Sequence, residues 1–230
     1  MNHSIDMLEI VAEGFGDILD QVVFVGGAVA SLYYENPASP SIRPTDDVDC
    51  VISVCTYTSY MTFLSELEGK GFKHDMSDDS SPICRLHYKG VKVDVMSKEN
   101  NVLGFTNSWY DSGIENSTTS RLPSGREIRI FTLPYFLASK IEAFHSRGEG
   151  DIRCSHDIED CIFILDGLKS LTFPTEDSAR KVREFLTSEF TVLADKDEFI
   201  ETISSCMRKH GSNAAARTAR ILDIIRKAVS

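Results

Sequence analysis

Apolar and polar positions along this chain follow two different periods, and the change from one to the other divides it. Met7, Leu8, Val11, Phe15, Ile18 and Leu19 recur at helical spacing and predict an opening amphipathic helix. Val22 to Val25 is a short apolar run closed by Gly26-Gly27, the pattern of a strand entering a tight turn. Ala28 to Tyr34 predicts a short helix, residues 36–44 a loop rich in Pro and Ser, and Asp47 to Val54 a second strand. Thr58 to Gly69 places Met61, Leu64 and Leu67 on one helical face. Cys84 to Tyr88 and Val91 to Met96 predict a hairpin about Lys89-Gly90. Residues 111–127 are polar and predict a long loop, with strand returning at Ile128 to Phe131.

Beyond Pro134 only the helical period remains. Phe136–Arg147, Asp157–Leu165, Asp177–Phe190, Glu198–His210 and Ala214–Val229 each predict a helix, with Gly211 where a C-cap glycine belongs. The expected fold class is therefore α+β, with an α/β-type N-terminal half in residues 1–132 and an all-helical domain in 133–230.

Composition narrows the function classes. The formal net charge of -11 disfavours a surface that coats nucleic acid without specificity, though it leaves room for one local basic groove. The six cysteines form no CxxC pair, which argues against a zinc site and for reduced, mostly buried thiols. No basic-then-apolar stretch opens the chain, and no apolar run approaches the roughly 18 residues of a membrane span. The expectation is a cytoplasmic protein without a membrane partner.

Three features carry candidate chemistry. Gly26-Gly27 lies between a strand and a helix, where glycine permits close approach of a ligand and a helix N-terminus favours phosphate. In Thr45-Asp46-Asp47-Val48-Asp49-Cys50, residues two apart share a strand face, so Asp47 and Asp49 project together while Val48, Cys50 and Ile52 face the core. Paired carboxylates repel unless a cation lies between them, and oxygen ligands of this kind suit Mg²⁺. In Val91-Lys92-Val93-Asp94-Val95-Met96 the valines share one face and Asp94 the other, where it would supply a third carboxylate.

Gly-Gly, then Asp-x-Asp, then a lone Asp on a later strand resembles the DNA-polymerase-β nucleotidyltransferase superfamily. More narrowly, Val25-Gly26-Gly27-Ala28 with Arg43-Pro44-Thr45-Asp46-Asp47-Val48-Asp49 resembles the AbiEii-type nucleotidyltransferases, many of them toxins of toxin–antitoxin systems. A second block resembles the same family: Lys140 and Ala143 on one helix, then Arg147, then Ser155-His156-Asp157-Ile158-Glu159-Asp160 opening another. The resemblance covers roughly residues 20–165. It implies a polymerase-β-like mixed sheet flanked by helices, with Asp47, Asp49 and Asp94 holding Mg²⁺, or Mn²⁺ in its place. It implies a nucleotide held by Gly26, Gly27, Arg43, Thr45, Lys140 and Arg147, with Lys140 and Asp157 in the active site. Asp78 or Asp79 is the rival of Asp94, Asp160 of Asp157, and Arg153 of Arg147.

The activity so implied is transfer of a nucleotidyl group from an NTP to an acceptor, an RNA 3′ end or a protein, in a toxin–antitoxin or phage-defence setting with an antitoxin protein as partner. Arg121, Arg126, Arg129, Lys140 and Arg153 are the bases available to guide tRNA or another RNA. Two other readings stand beside it: a small-molecule adenylyltransferase of the aminoglycoside type, which the acidic charge suits, and a non-catalytic pseudo-enzyme that binds nucleotide or a partner.

Overall fold

The computed structural model of the chain describes residues 3–34, 45–74, 82–147, 150–209 and 213–230. Two compact units emerge, Met1–Val29 with Pro44–Thr132, and Ala30–Arg43 with Leu133–Ser230. Arg43, Asp78, Asp79, Gly211 and residues 36–44 of the expected loop lie outside the described residues.

The first unit is built on seven strands: β1 (Val22–Val25), β2 (Asp47–Ile52), β3 (Lys73–His74), β4 (Arg85–Tyr88), β5 (Val91–Ser97), β6 (Ser117–Arg121) and β7 (Glu127–Phe131). Their order across the sheet is β3-β4-β5-β2-β1-β7-β6. The sheet is mixed: β2 runs parallel to β5 and β1 parallel to β7, while the other neighbours are antiparallel. Helices α1 (His3–Phe15), α2 (Tyr57–Gly69), α3 (Asn100–Leu103) and α4 (Tyr110–Glu115) accompany it.

The predicted amphipathic faces are the ones buried. Met7, Leu8, Val11 and Phe15 of α1 are buried, and α1 packs on β2, β4 and β5. Phe15 meets Phe24 edge-on at 5.9 Å and Phe72 at 5.2 Å, and Phe72 stacks on Tyr88 at 4.4 Å. Thr56 closes a capping box on α2. From that helix the buried Tyr60 hydroxyl donates to the Val95 carbonyl at 2.8 Å, tying α2 to β5. The hairpin turn forms as predicted, with positive φ at both Lys89 (46°) and Gly90 (86°), the geometry of a tight primed turn.

Two expectations need correction. Residues 111–127 are no loop, because they hold the C-terminal part of α4, then β6, and open β7. β6 is a Ser/Thr strand at the sheet edge with no buried residue, so no apolar alternation marks it. The short helix expected after Gly26 is present, as a 3₁₀ helix over Gly27–Tyr33. Its seven residues cannot provide the helix dipole that the phosphate argument used.

The second unit contains α5 (Leu133–Ser146), α6 (His156–Gly167), α7 (Arg180–Ala194), α8 (Asp197–Lys209) and α9 (Ala214–Val229). Phe163, Leu186, Phe190, Phe199, Ile203 and Ile221 form its core. One buried acid, Asp166 on α6, is matched by two bases of α9: Arg217 donates to both its oxygens at 3.2 and 2.6 Å, and Arg220 to one at 2.7 Å. Among the described residues no helix is long and apolar enough to cross a membrane.

Candidate metal centre

The site grows from two parallel strands in register. β2 and β5 pair so that Asp49 sits opposite Asp94 and Asp47 opposite Lys92. Alternation then puts the three aspartates on one face and buries Val48, Cys50, Val93 and Val95 on the other. Asp47, Asp49 and Asp94 offer one oxygen each, all within 4.8 Å of one another, and all three residues are half-buried. Mg²⁺ with oxygen ligands near 2.1 Å holds neighbouring ligands about 3 Å apart and opposite ones about 4 Å apart, so modest side-chain rotation closes this set around an ion. The donors are hard carboxylate oxygens, the type that Mg²⁺ and Mn²⁺ prefer. The residues therefore fit such an ion.

Two neighbours hold these carboxylates. Buried Thr45 donates from its hydroxyl to Asp47 Oδ1 at 2.7 Å. Its observed contact is with the motif's own acid, which fixes the Asp47 rotamer. Gly26 has φ +70°, and a Cβ built there would overlap the Asp49 carboxylate. Glycine is thus required at this position twice, for the left-handed backbone and for the space that Asp49 occupies. Gly27 opens the 3₁₀ helix that follows.

Arg85 is the site residue that sequence reasoning missed. On β4 it pairs with Asp94. It donates from Nε to Asp94 Oδ1 at 2.8 Å and from Nη2 to Oδ2 at 2.6 Å, a bidentate fork. The bond to Asp94 pushes the already permanent Arg85 cation further up. A signal existed: a two-residue turn at Lys89-Gly90 pairs Tyr88 with Val91, and counting outward pairs Arg85 with Asp94. Behind the aspartates, burial and then the charges of Asp49 and Asp94 push the Cys50 thiol well up. Burial, then Asp94, pushes Cys84 up to about 11. Four of the cysteines are buried, while Cys55 and Cys154 are exposed.

The second block assembles inside the helical unit. Lys140 on α5 donates to Asp157 Oδ1 at 3.1 Å and pairs with Asp160 Oδ2 at 2.7 Å. Arg147 reaches the other Asp157 oxygen, Oδ2, at 3.2 Å. Asp157 and Asp160 are 3% and 1% exposed. Both acids thus meet Lys140. Of the two arginines, Arg147 is the one on Asp157, and Arg153 pairs with Glu198 and Glu201 instead. A cavity of about 70 Å³ beside Arg147 and Asp157 is far below the roughly 300 Å³ at which ligand pockets begin. A larger one of about 420 Å³, lined in part by Arg153, His156, Glu159 and Lys209, was not foreseen.

The bases proposed for RNA are mostly engaged within their own units. Arg126 pairs with Glu9, and Arg121 with Glu127. Arg129 donates to the Ser117 hydroxyl and to the Asp20 and Ile114 carbonyls. Tyr110, one of the aromatic residues near the sheet, packs on Phe131 at 6.2 Å. Compared with models of known protein families and with curated proteins, the sequence matches none of them.

Proposed function

We propose that this chain is a divalent-metal-dependent nucleotidyltransferase that moves an NMP from an NTP to an acceptor hydroxyl. The observation that carries the reading is the convergence of Asp47, Asp49 and Asp94 within 4.8 Å on one sheet face. The Gly26 backbone beside Asp49 supports it. Asp47, Asp49 and Asp94 would hold an Mg²⁺ ion, which would supply charge neutralisation for the leaving pyrophosphate and a lowered pKa for the acceptor hydroxyl.

The chain's own residues then have separate tasks. Asp47 and Asp49 hold the ion, with Asp47 oriented by Thr45. Asp94 takes the proton of the acceptor hydroxyl as its oxygen bonds to the α-phosphorus and the bond from that phosphorus to the pyrophosphate oxygen breaks. Backbone N–H groups at Gly26 and Gly27 would be donors to phosphate oxygens. Lys140 and Arg147 are taken up by Asp157 and Asp160, so charge on the triphosphate from Lys140, Arg147 or Arg43 is a role that rests on the resemblance alone. So do the acceptor, an RNA 3′ end or a protein, the toxin–antitoxin or phage-defence setting and the antitoxin partner.

Incubation with Mg²⁺, each α-labelled NTP and total tRNA tests the reading, against the Asp47→Ala/Asp49→Ala double variant. Label transfer that falls at least about 10³-fold in the variant is the expected result, since two of the three carboxylates that would hold the ion are gone. One observation favours a second reading: Arg85 takes both oxygens of Asp94, as a binding-only descendant of such a site would allow. Nucleotide binding with no transfer to RNA, protein or an aminoglycoside panel would establish that pseudo-enzyme and remove both transferase versions.

A further inference from the structure

We propose that Arg85 is an internal counter-cation that occupies Asp94 in the metal-free protein and sets how tightly the site takes a divalent ion. The inference rests on the metal-site reading above. Its basis is a row of three cross-strand neighbours, Asp49 on β2, Asp94 on β5 and Arg85 on β4. Three carboxylates within 4.8 Å repel one another in the absence of a cation. Arg85 is the positive group on this row, and its fork covers both Asp94 oxygens, at 2.8 and 2.6 Å. The Asp94 side chain is 13% exposed, so little water stands in for that charge.

An arriving ion needs an Asp94 oxygen that Arg85 already holds, and it approaches a fixed positive charge. Each carboxylate oxygen has two lone-pair directions, so Arg85 need not leave. It can keep one oxygen while the other turns to the ion. The Arg85 charge therefore weakens ion binding without forbidding it, and the fork leaves Asp94 held when the ion departs. Arg85 is in this sense a positioning residue, acting on the ion through Asp94.

Mn²⁺ titration of the full chain without nucleotide tests this, followed by the electron paramagnetic resonance of free Mn²⁺. Arg85→Gln, which removes the charge, is expected to bind Mn²⁺ about ten-fold tighter than the parent chain. Arg85→Lys keeps the charge and is expected to stay within about three-fold of the parent. Adding Asp94→Asn to Arg85→Gln should abolish the gain, which a merely structural role for Arg85 would not produce. Unchanged or weaker Mn²⁺ binding by Arg85→Gln overturns the proposal. If Arg85→Gln does not fold, Arg85→Lys decides, because binding that tightens as the fork is lost with the charge retained is equally contrary. Mn²⁺ binding that persists in Asp47→Ala/Asp49→Ala overturns the metal site and this inference together. Absence of NMP transfer with the Arg85→Gln gain intact overturns the transferase reading alone.

Discussion

The chain holds two acidic clusters, and they are solved in opposite ways. On the sheet, three half-buried aspartates converge, and Arg85 holds one of them, Asp94. Among the helices, Asp157 and Asp160 are almost fully buried and face Lys140 and Arg147, so formal charges balance. The first cluster gathers three like charges whose repulsion a divalent ion would relieve. The second is electrically complete, and its charges link α5 to α6. A carboxylate cluster is a candidate ion site when its charge is left over, and a structural one when it is matched.

Lys140→Ala breaks the matched cluster and should have the largest effect. It leaves two buried carboxylates short of their cation, and removing one partner of a buried pair costs about 3–5 kcal/mol. Urea denaturation measures this. Combining Lys140→Met with Asp160→Asn should recover much of the loss, because the orphaned charge is then gone. A loss below about 1 kcal/mol for Lys140→Ala would mean that water reaches these acids, and the contrast between the clusters would collapse.

Gly26→Ala should act next, and on the other cluster. A left-handed backbone costs a non-glycine residue about 1–2 kcal/mol, and the new methyl group must displace the Asp49 carboxylate. Stability should fall by at least that much, and the Mg²⁺-induced rise in melting temperature should shrink with it. A variant that melts lower yet keeps the full Mg²⁺ shift would show that Asp49 does not ligate.

The sequence exposes these clusters unequally for physical reasons. Asp47, Asp49 and Asp94 were legible because strand alternation states their direction and valines mark the opposite face. Lys140 and Arg147 were legible as a shared helix face, which the structure brings onto Asp157. Arg85 was not, since an arginine at the start of a strand has no period of its own, and its meaning comes only from the hairpin register. Gly26 was legible as a turn glycine, whereas its contact with Asp49 depends on β1 and β2 pairing antiparallel, Val25 opposite Asp49. β6 stayed hidden because an edge strand of Ser and Thr buries nothing. Pairing between strands and unpatterned edges are the parts that one-dimensional periodicity does not encode.

The smallest expected effect uses buried thiols as probes of the two fields. Beside the aspartates, burial and then Asp94 raise Cys84 to about 11 from an ordinary 9.0. A raised folded-state pKa contributes stability that is fully present below pH 9.0 and is lost as pH rises through about 11. Among the helices, burial raises Cys161 also, but the Lys140 charge opposes it. Asp94→Asn should therefore move Cys84 back toward its ordinary value, so that thiolate ultraviolet absorbance appears earlier in an alkaline titration. Lys140→Met with Asp160→Asn removes two of the three charges that act on Cys161, leaving Asp157, and because the two removed are of opposite sign its titration should move little. Matching curves for Asp94→Asn and the parent chain would mean that the Asp94 charge does not reach Cys84. That charge would then already be neutralised, by Arg85, before any ion arrives.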